Sequence, residues 1–142
     1  MSAEFCDTNI LVYAYDASHP VKHARARALV QRLWDEQSGC ISVQVLQELF
    51  VTLTHKVAAP VDRTVARHII ADLSTWNVVS PNPIDVLDAI DSSSRWQLSF
   101  WDAMIVTAAL RAGADLLWSE DLNEGQRFGR LEIRNPLRAT QA

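Results

Sequence analysis

The sequence predicts an α/β protein with a central parallel sheet of about five strands and helices on both faces. Short apolar segments of strand length alternate with longer amphipathic segments, which is the pattern of successive βαβ units. The chain has 142 residues, the length of one domain that can bury a core without disulfides. Hydrophobic residues make up 49% and charged residues 21%, which is typical of a compact globule.

The first elements are a strand and two helices. Residues 3–7 form a short apolar run that predicts the first strand, and a helical stretch over 9–15 follows it. Pro20 suits the first turn of a second helix, which we expect to end at Gly39. The predicted buried stripe of this second helix consists of Ala26, Leu29, Val30 and Leu33.

A second strand at 40–42 leads into a long helix over 43–57. Glu48 lies about opposite the centre of the apolar face of this helix, so we expect its side chain to be solvated. Asp62 can cap the next helix, predicted over 63–75. The apolar face of the long helix comprises Leu46, Leu49, Phe50, Leu53 and Val57.

The middle of the chain continues the alternation with a strand and a helix. Residues 76–80 are apolar enough to predict a third strand. The segment 84–97 has helical periodicity, and its apolar residues predict one face that packs on the core. The expected buried residues of this helix are Ile84, Leu87 and Ile90.

The last third of the chain begins with a strongly apolar helix over 99–113. Its segment 103–110 is apolar on nearly every face, and a helix of that kind is normally buried. Two further strands are expected, at 115–119 and at 131–134. The complete pattern therefore predicts parallel strands joined by helical crossovers.

Two acidic residues follow predicted strands, at the position where this fold places chemistry. In open parallel sheets, ligands bind outside the carboxyl ends of the strands. Asp7 ends the first strand and Asp121 follows the fourth, so we expect both at this edge. Each also has a structural interpretation, since Asp7 can cap a helix and Asp121 can belong to a polar turn. Glu120 is adjacent to Asp121 and could serve in its place.

Two further acidic residues lie on predicted helices. Asp102 occupies the first turn of the buried helix with Trp101 beside it, and a carboxylate that enters the interior needs a partner. Ser99 and Asp102 also fit a capping box, which explains part of that need. Glu48 becomes a candidate only if its face of the helix looks into a cleft.

Together these four carboxylates could bind Mg²⁺ or Mn²⁺, which prefer oxygen ligands. A metal held by acids can support phosphodiester hydrolysis by activating a water. The net charge is −4, and the rest of the chain would be neutral without the four acids. Cys6 and Cys40 lack zinc-site spacing and are expected to be buried, reduced thiols. No apolar run approaches the roughly 18 residues of a membrane span, so we expect a cytoplasmic protein.

Four short motifs in order, one around each of the four acids, together with a C-terminal segment carry a family resemblance. They are Asp7-Thr8-Asn9, Ser42 to Glu48, Ser99 to Ala103, Ser119 to Leu122 and Ile133 to Pro136. The order and spacing resemble the PIN-domain nucleases, in particular the VapC-like toxins of bacterial toxin–antitoxin pairs. The resemblance covers nearly the whole chain and implies a single PIN-like domain over 1–142 with a three-layer α/β/α fold.

The resemblance also implies a function, an endoribonuclease toxin that depends on Mg²⁺ or Mn²⁺ and hydrolyses RNA. A homodimer and a cognate antitoxin protein are the implied partners. Because Glu120 is adjacent to Asp121, the resemblance does not decide which of these two carboxylates binds the metal directly. The residues implied to hold the metal and position the water are Asp7, Glu48, Asp102 and Asp121. The residues implied to support the ligands or the substrate are Thr8, Asn9 and Ser119.

Four other functions share parts of this pattern. A solitary PIN-type RNA-processing nuclease would share the acids but would have no antitoxin. A haloacid-dehalogenase-like phosphatase needs a second acid where Asn9 stands and a lysine late in the chain, and the last lysine is Lys56. A phosphoacceptor receiver domain fails the same lysine test. A non-catalytic RNA-binding module would keep the acids without using them.

Overall fold

A six-stranded sheet forms the centre of the computed structural model, which describes residues 2–138. The other residues of the predicted domain, 1 and 139–142, lie outside the described part. The strands are β1 (Ala3–Cys6), β2 (Gly39–Ser42), β3 (Asn77–Val79), β4 (Ala114–Trp118), β5 (Arg127–Phe128) and β6 (Leu131–Arg134). They lie in the order β3-β2-β1-β4-β6-β5. Only β5 runs antiparallel to its neighbour, and the sequence pattern did not reveal this two-residue strand.

Helices cover both faces of the sheet. They are α1 (Thr8–Tyr15), α2 (Pro20–Glu36), α3 (Val43–Val51), α4 (Arg63–Leu73), α5 (Pro83–Trp96) and α6 (Phe100–Arg111). Helices α1 to α4 pack against one another, whereas α5 packs against α6, which contacts β2 and β4. The chain runs outward from β1 to β3 and then returns to β4, so right-handed crossovers place the two groups on opposite faces. The predicted three-layer α/β fold is thereby confirmed.

Local side-chain chemistry sets where most helices begin. Each capping side chain accepts a backbone N–H of the first turn, which satisfies a donor that has no partner within the helix. Three of these caps, Asp7, Asp62 and Ser99, were expected from the sequence and are confirmed. The capping residues are Asp7, Ser42, Asp62, Asn82 and Ser99.

The end of α2 differs from the prediction that Gly39 terminates it. The helix stops at Glu36, and Gln37 adopts the left-handed conformation of a C-cap with φ of 54°. Gly39 instead begins β2, where the indole of Trp76 occupies the space of a side chain. A Cβ added at Gly39 would lie 2.6 Å from that ring, so the glycine is needed for packing rather than for helix termination.

The helix predicted over 43–57 changes its geometry near its end. It is α-helical to Val51 and continues as a π-helical turn over Thr52–Lys56. Single π turns inside helices are frequent at functional sites. A π turn advances less per residue around the axis, so Lys56 returns to the face that carries Glu48 and Thr52.

The buried face of α5 also differs from the prediction. Ile84, Leu87 and Ile90 are exposed, with 67%, 61% and 48% of their surface accessible. The helix buries the small Ala89 and the capping Asp85, whose carboxylate accepts a hydrogen bond from Arg111 on α6. Close packing on α6 through small and paired residues leaves the larger apolar side chains on the outside.

The core lies between the middle strands and the helices that cover them. Fully buried side chains of four neighbouring strands, Phe5, Ile41, Leu117 and Ile133, form its centre. Cys6 and Cys40 are buried and free of a disulfide, as predicted. Among residues 2–138, no helix is long and apolar enough to cross a membrane.

Candidate functional site

Asp7 and Asp121, the two acids predicted to follow strands, lie at the point where the order of the strands along the sheet reverses. Strands β1 and β4 are neighbours, and α1, which follows β1, covers the opposite face of the sheet from α6, which precedes β4. Such a switch point opens a crevice at the carboxyl ends of the strands. Asp7 directly follows β1, and the segment Ser119–Asp121 directly follows β4. The fold therefore brings together side chains that are more than a hundred residues apart.

Asp7 is buried at the base of this crevice. Two hydrogen bonds hold its carboxylate, while burial disfavours its negative charge. Its Oδ1 accepts the backbone N–H of Thr8 at 2.7 Å, and its Oδ2 accepts the hydroxyl of Ser119 at 2.8 Å. The pKa of Asp7 is raised to about 6, chiefly by burial and to a smaller extent by the charges of Asp121 and Asp102, while the two hydrogen bonds act in the opposite direction. Helix capping is thus real at Asp7 but leaves its negative charge uncompensated.

Glu48 faces the crevice, contrary to the expectation that it is solvated. The buried stripe of α3 is centred on Val45 and Leu49, and Glu48 borders this stripe on the side of α1. There the Thr8 hydroxyl donates to Glu48 Oε2 at 2.8 Å, and the Gln44 amide donates to Oε1 at 2.7 Å. The predicted apolar face omitted Val45, which is why it placed Glu48 in solvent.

Asp102 lies half-buried in the first turn of α6. The Ser99 side chain accepts its backbone N–H at 3.1 Å, so the predicted cap is present. Burial raises the pKa of Asp102, and the charges of Asp121 and Glu48 act in the same direction. Trp101, expected to enter the interior beside it, is instead 63% exposed, because only residues 103–109 of this helix are buried throughout.

The adjacent acids Glu120 and Asp121 have different partners. Lys22 Nζ lies 2.6 Å from Glu120 Oε2 in an ion pair, and the Tyr13 hydroxyl donates to Oε1 at 3.1 Å. Asp121 accepts a hydrogen bond from the Asn9 amide at 2.8 Å. The charge of Glu120 is therefore compensated by a lysine, whereas Asp121 is held by a neutral amide and acts on Asp7 and Asp102.

Two polar side chains connect the acidic segments. Ser119 Oγ donates to Asp7 and accepts the backbone N–H groups of Asp121 and Leu122 at 3.2 and 3.3 Å. The side chain of Asn9 binds Asp121 through its amide and accepts the backbone N–H of Glu120 at 3.3 Å. Both residues were candidates from the sequence, and both orient the turn after β4.

The four carboxylates influence one another without forming a closed cation site. Within residues 2–138, no group of three or more His, Cys, Asp or Glu side chains is close enough to be preassembled around a metal. Burial, and to a smaller extent the neighbouring carboxylates, raise the pKa of Asp7 and of Asp102, so a cation bound beside them would favour their charged forms. The donors are all carboxylate oxygens, so the chemistry of the set fits Mg²⁺ or Mn²⁺.

Three contributors to the site were not found from the sequence. Lys22 and Tyr13 hold Glu120, and Gln44 holds Glu48. The Gln44–Glu48 pair could have been suspected, because residues four apart on a helix are neighbours. The contact of Lys22 with Glu120 spans 98 residues and has no local signal.

The fold and the site together define a class, an α/β protein with several acidic residues around the switch point of its sheet. A family model of the PIN domain matches residues 5–130. The chain belongs to the PIN domain family. A comparison with curated protein sequences finds no match.

Solved structures of bacterial proteins share this fold. A toxin–antitoxin complex from Klebsiella pneumoniae is 19% identical, with a TM-score of 0.69 over 95% of this chain and 98% of that one. The sarcin–ricin loop cleaving toxin VapC20 of Mycobacterium tuberculosis is 19% identical, with a TM-score of 0.62 over 81% and 87%. VapBC2 of Rickettsia felis, bound to promoter DNA, is 18% identical, with a TM-score of 0.65 over 94% and 98%.

Proposed function

We propose that this protein is a metal-dependent endoribonuclease that hydrolyses RNA phosphodiester bonds. The observation that carries the proposal is the position of Asp7 and Asp121 after two neighbouring strands at the switch point of the sheet, with Glu48 joined to the same place through Thr8. Membership of the PIN domain family supports it. A protein of similar fold, VapC20, is a toxin that cleaves the sarcin–ricin loop.

In this proposal the four acids act as one oxygen-donor set. Mg²⁺ or Mn²⁺ bound there would acidify a water and neutralise charge on the phosphate. The residues that would hold the metal are Asp7, Glu48, Asp102 and Asp121. We assign the direct role in the last pair to Asp121, because Glu120 is already neutralised by Lys22.

The neighbouring polar residues keep the carboxylates in place. Thr8 fixes one oxygen of Glu48, and Ser119 fixes one oxygen of Asp7. Asn9 does the same for Asp121 while it anchors the backbone of the turn. Such supporting contacts limit the rotation of ligand side chains, and their loss commonly weakens metal binding or activity.

We further propose that the nuclease is the toxin of a toxin–antitoxin pair, acts in the cytoplasm and forms a homodimer. The similar structure from Klebsiella pneumoniae is a toxin–antitoxin complex. The exposed apolar side chains of α5 form a surface, Ile84, Leu87 and Ile90, that suits contact between two copies. A short neighbouring reading frame for a DNA-binding protein would support the toxin role over a solitary RNA-processing nuclease.

A cleavage assay tests the catalytic proposal. Purified protein is incubated with structured RNA in the presence of Mg²⁺, Mn²⁺ or EDTA. We expect cleavage with either metal, none with EDTA, and a loss of at least about a hundredfold in Asp102→Asn. The matched control is Asp35→Asn, an exposed aspartate on α2. Equal cleavage by Asp102→Asn and the wild type would contradict the proposal.

A further inference from the structure

A cavity of about 570 Å³ lies beside the acidic cluster of Asp7, Glu48, Asp102 and Asp121, and is lined by Glu48 and Asp102 of this cluster. Its walls come from α3, the π-helical turn and the first turn of α6. The volume falls within the roughly 300–1,000 Å³ of sites that hold small organic groups. The residues that matter for its chemistry are Gln44, Gln47, Glu48, Lys56, Trp101 and Asp102.

Trp101 forms an aromatic wall of this cavity. It is 63% exposed, the largest exposed fraction among the tryptophans that are exposed. Its ring meets Phe100 edge to face, with centroids 5.0 Å apart, so the indole is supported while much of its surface stays open. Packing of the core does not require an aromatic residue at this position. An open indole next to Asp102 suits the stacking of a flat ring.

Amide groups line the same cavity. Gln44 Nε2 donates to Glu48 and, at 3.3 Å, to the backbone carbonyl of Trp101. This contact ties α3 to the start of α6 and thereby sets the distance between the two walls. Gln47 is exposed one turn along the cavity and offers both a donor and an acceptor. Amide side chains of this kind can pair with the edges of nucleobases.

Lys56 places a positive charge at the far end of the cavity. The π-helical turn Thr52–Lys56 brings this residue onto the face of α3 that carries Glu48. Within residues 2–138, no carboxylate forms an ion pair with Lys56. A lysine without a carboxylate partner suits a phosphate of a nucleic-acid backbone.

We propose that this cavity is a subsite for an unpaired nucleotide of the substrate, adjacent to the phosphodiester bond that the acidic cluster acts on. The base stacks on Trp101, its edge meets Gln47, and the neighbouring backbone runs toward Lys56. A neutral base tolerates the nearby carboxylates of Glu48 and Asp102 better than an acidic group would. The proposal rests on the proposed nuclease function and specifies the substrate as unpaired at this position, since stacking on a side chain requires a base free of its helix.

Binding to a poorly cleavable probe tests the subsite apart from catalysis. The probe is a labelled six-nucleotide single-stranded RNA with phosphorothioate linkages, measured by fluorescence anisotropy in Mg²⁺. We expect Trp101→Ala to weaken binding about fivefold or more, from the usual contribution of base–aromatic stacking. Trp101→Phe should retain most of the affinity because it keeps an aromatic face. Trp34→Ala, at the other end of the sheet, should leave affinity unchanged.

A second readout separates stacking from a general structural effect. The indole N–H signal of Trp101 in a ¹⁵N-labelled sample should shift on titration with the single strand, and much less with the matching duplex. Unchanged affinity in Trp101→Ala, or an equal shift with the duplex, would overturn the inference. Loss of binding to a partner protein without loss of RNA binding would overturn it as well and would assign Trp101 to a protein interface.

The failure of the subsite and the failure of the proposed function give different results. If the wild type cleaves RNA with Mg²⁺ while Trp101→Ala shows the same KM and the same probe affinity, only the subsite is wrong. If the probe binds through Trp101 but no RNA is cleaved with either metal, the nuclease proposal is wrong and the nucleotide site stands. Where both hold, Trp101→Ala should raise KM more than it lowers kcat.

Discussion

The Thr8 hydroxyl donates a hydrogen bond to Glu48 Oε2 at 2.8 Å, joining two helices that are forty residues apart in sequence. The backbone N–H of the same threonine binds the carboxylate of Asp7. One residue therefore contacts two of the four acids. The first turn of α1 consequently fixes the relative position of the carboxylates that follow β1 and lie on α3.

This relationship predicts the effect of removing one hydroxyl. Thr8→Val keeps the volume and the backbone contact to Asp7 but removes the donor to Glu48 Oε2, while Gln44 still donates to the other oxygen. We expect metal affinity, measured by calorimetric titration with Mn²⁺, to fall about 10- to 100-fold, the usual effect of losing a supporting contact. Thr8→Ser restores the hydroxyl and should restore affinity. Equal affinities of the valine variant and the wild type would show that Thr8 does not position Glu48.

Neutralising Asp102 should stabilise the protein when no metal is bound. Its pKa is raised by burial and by Asp121 and Glu48, so the charged form costs stability at pH 7. Asp102→Asn removes this cost, which we put at roughly 0.5 kcal/mol or about 2 °C in Tm. The gain should shrink as the pH falls and Asp102 of the wild type becomes protonated. Thermal melts in EDTA measure the difference, with Asp35→Asn as the control, and a clearly lower Tm for Asp102→Asn would contradict it.

The two adjacent acids after β4 should differ in importance. Asp121→Asn should abolish most cleavage of structured RNA, by about a hundredfold or more, because it removes a proposed metal ligand. Glu120→Gln should change the rate by less than about threefold, since Glu120 serves as the partner of Lys22 and Tyr13. Rates measured side by side in Mn²⁺ decide between them. The opposite order would make Glu120 the direct ligand.

An ion pair between the buried Glu4 of β1 and the partly exposed Arg32 of α2 should make stability depend on pH. Arg32 donates two hydrogen bonds to Glu4 at 2.8 and 3.0 Å, and the Trp118 indole donates a third at 2.9 Å. Hydrogen bonding to Arg32 is the main reason that the pKa of Glu4 lies below its ordinary value of 4.5. The stabilisation is therefore present above that value and is lost as the pH falls through the lowered pKa.

Glu4→Gln should accordingly destabilise the protein near neutral pH and much less in acid. We expect the free energy of unfolding to fall by about 1 kcal/mol at pH 7. This loss is smaller than is usual for hydrogen bonds to a charged group, because Arg32 is partly exposed. Urea unfolding at pH 7 and near pH 3 measures the change in free energy. Glu36→Gln removes the exposed partner of the same arginine and should have a smaller effect. An identical effect of Glu4→Gln at both pH values would rule out the ion pair as the cause.

The exposed apolar surface of α5 predicts the contact between two copies. Leu87→Glu places a charge in the middle of this surface and should convert a dimer into a monomer without lowering its folded-state stability, since the residue is 61% exposed. Light scattering after gel filtration measures the mass. Val65→Glu, at an exposed apolar position on α4, is the control. A dimer that survives Leu87→Glu would place the interface elsewhere.

Much of the fold could be predicted because its signals are local. Helix caps such as Asp62 and Ser99, and the buried segment 103–109 of α6, depend on residues within a few positions of each other. The strand β5 was missed because two residues carry too little pattern. The end of α2 was misplaced because Gly39 is required by the close packing of Trp76, a residue distant in the sequence, and not by the end of the helix.

The sequence by itself determined the alternation of strands and helices and placed Asp7 and Asp121 after two strands. Hydrophobic periodicity and strand ends are enough for that, since parallel strands share one carboxyl edge. Only the tertiary structure decided that Glu48 faces this edge, that Glu120 pairs with Lys22, and that the apolar side chains of α5 lie outside. The buried face of a helix and the partner of a charged side chain both depend on residues that are distant in the sequence and become neighbours only in the folded protein.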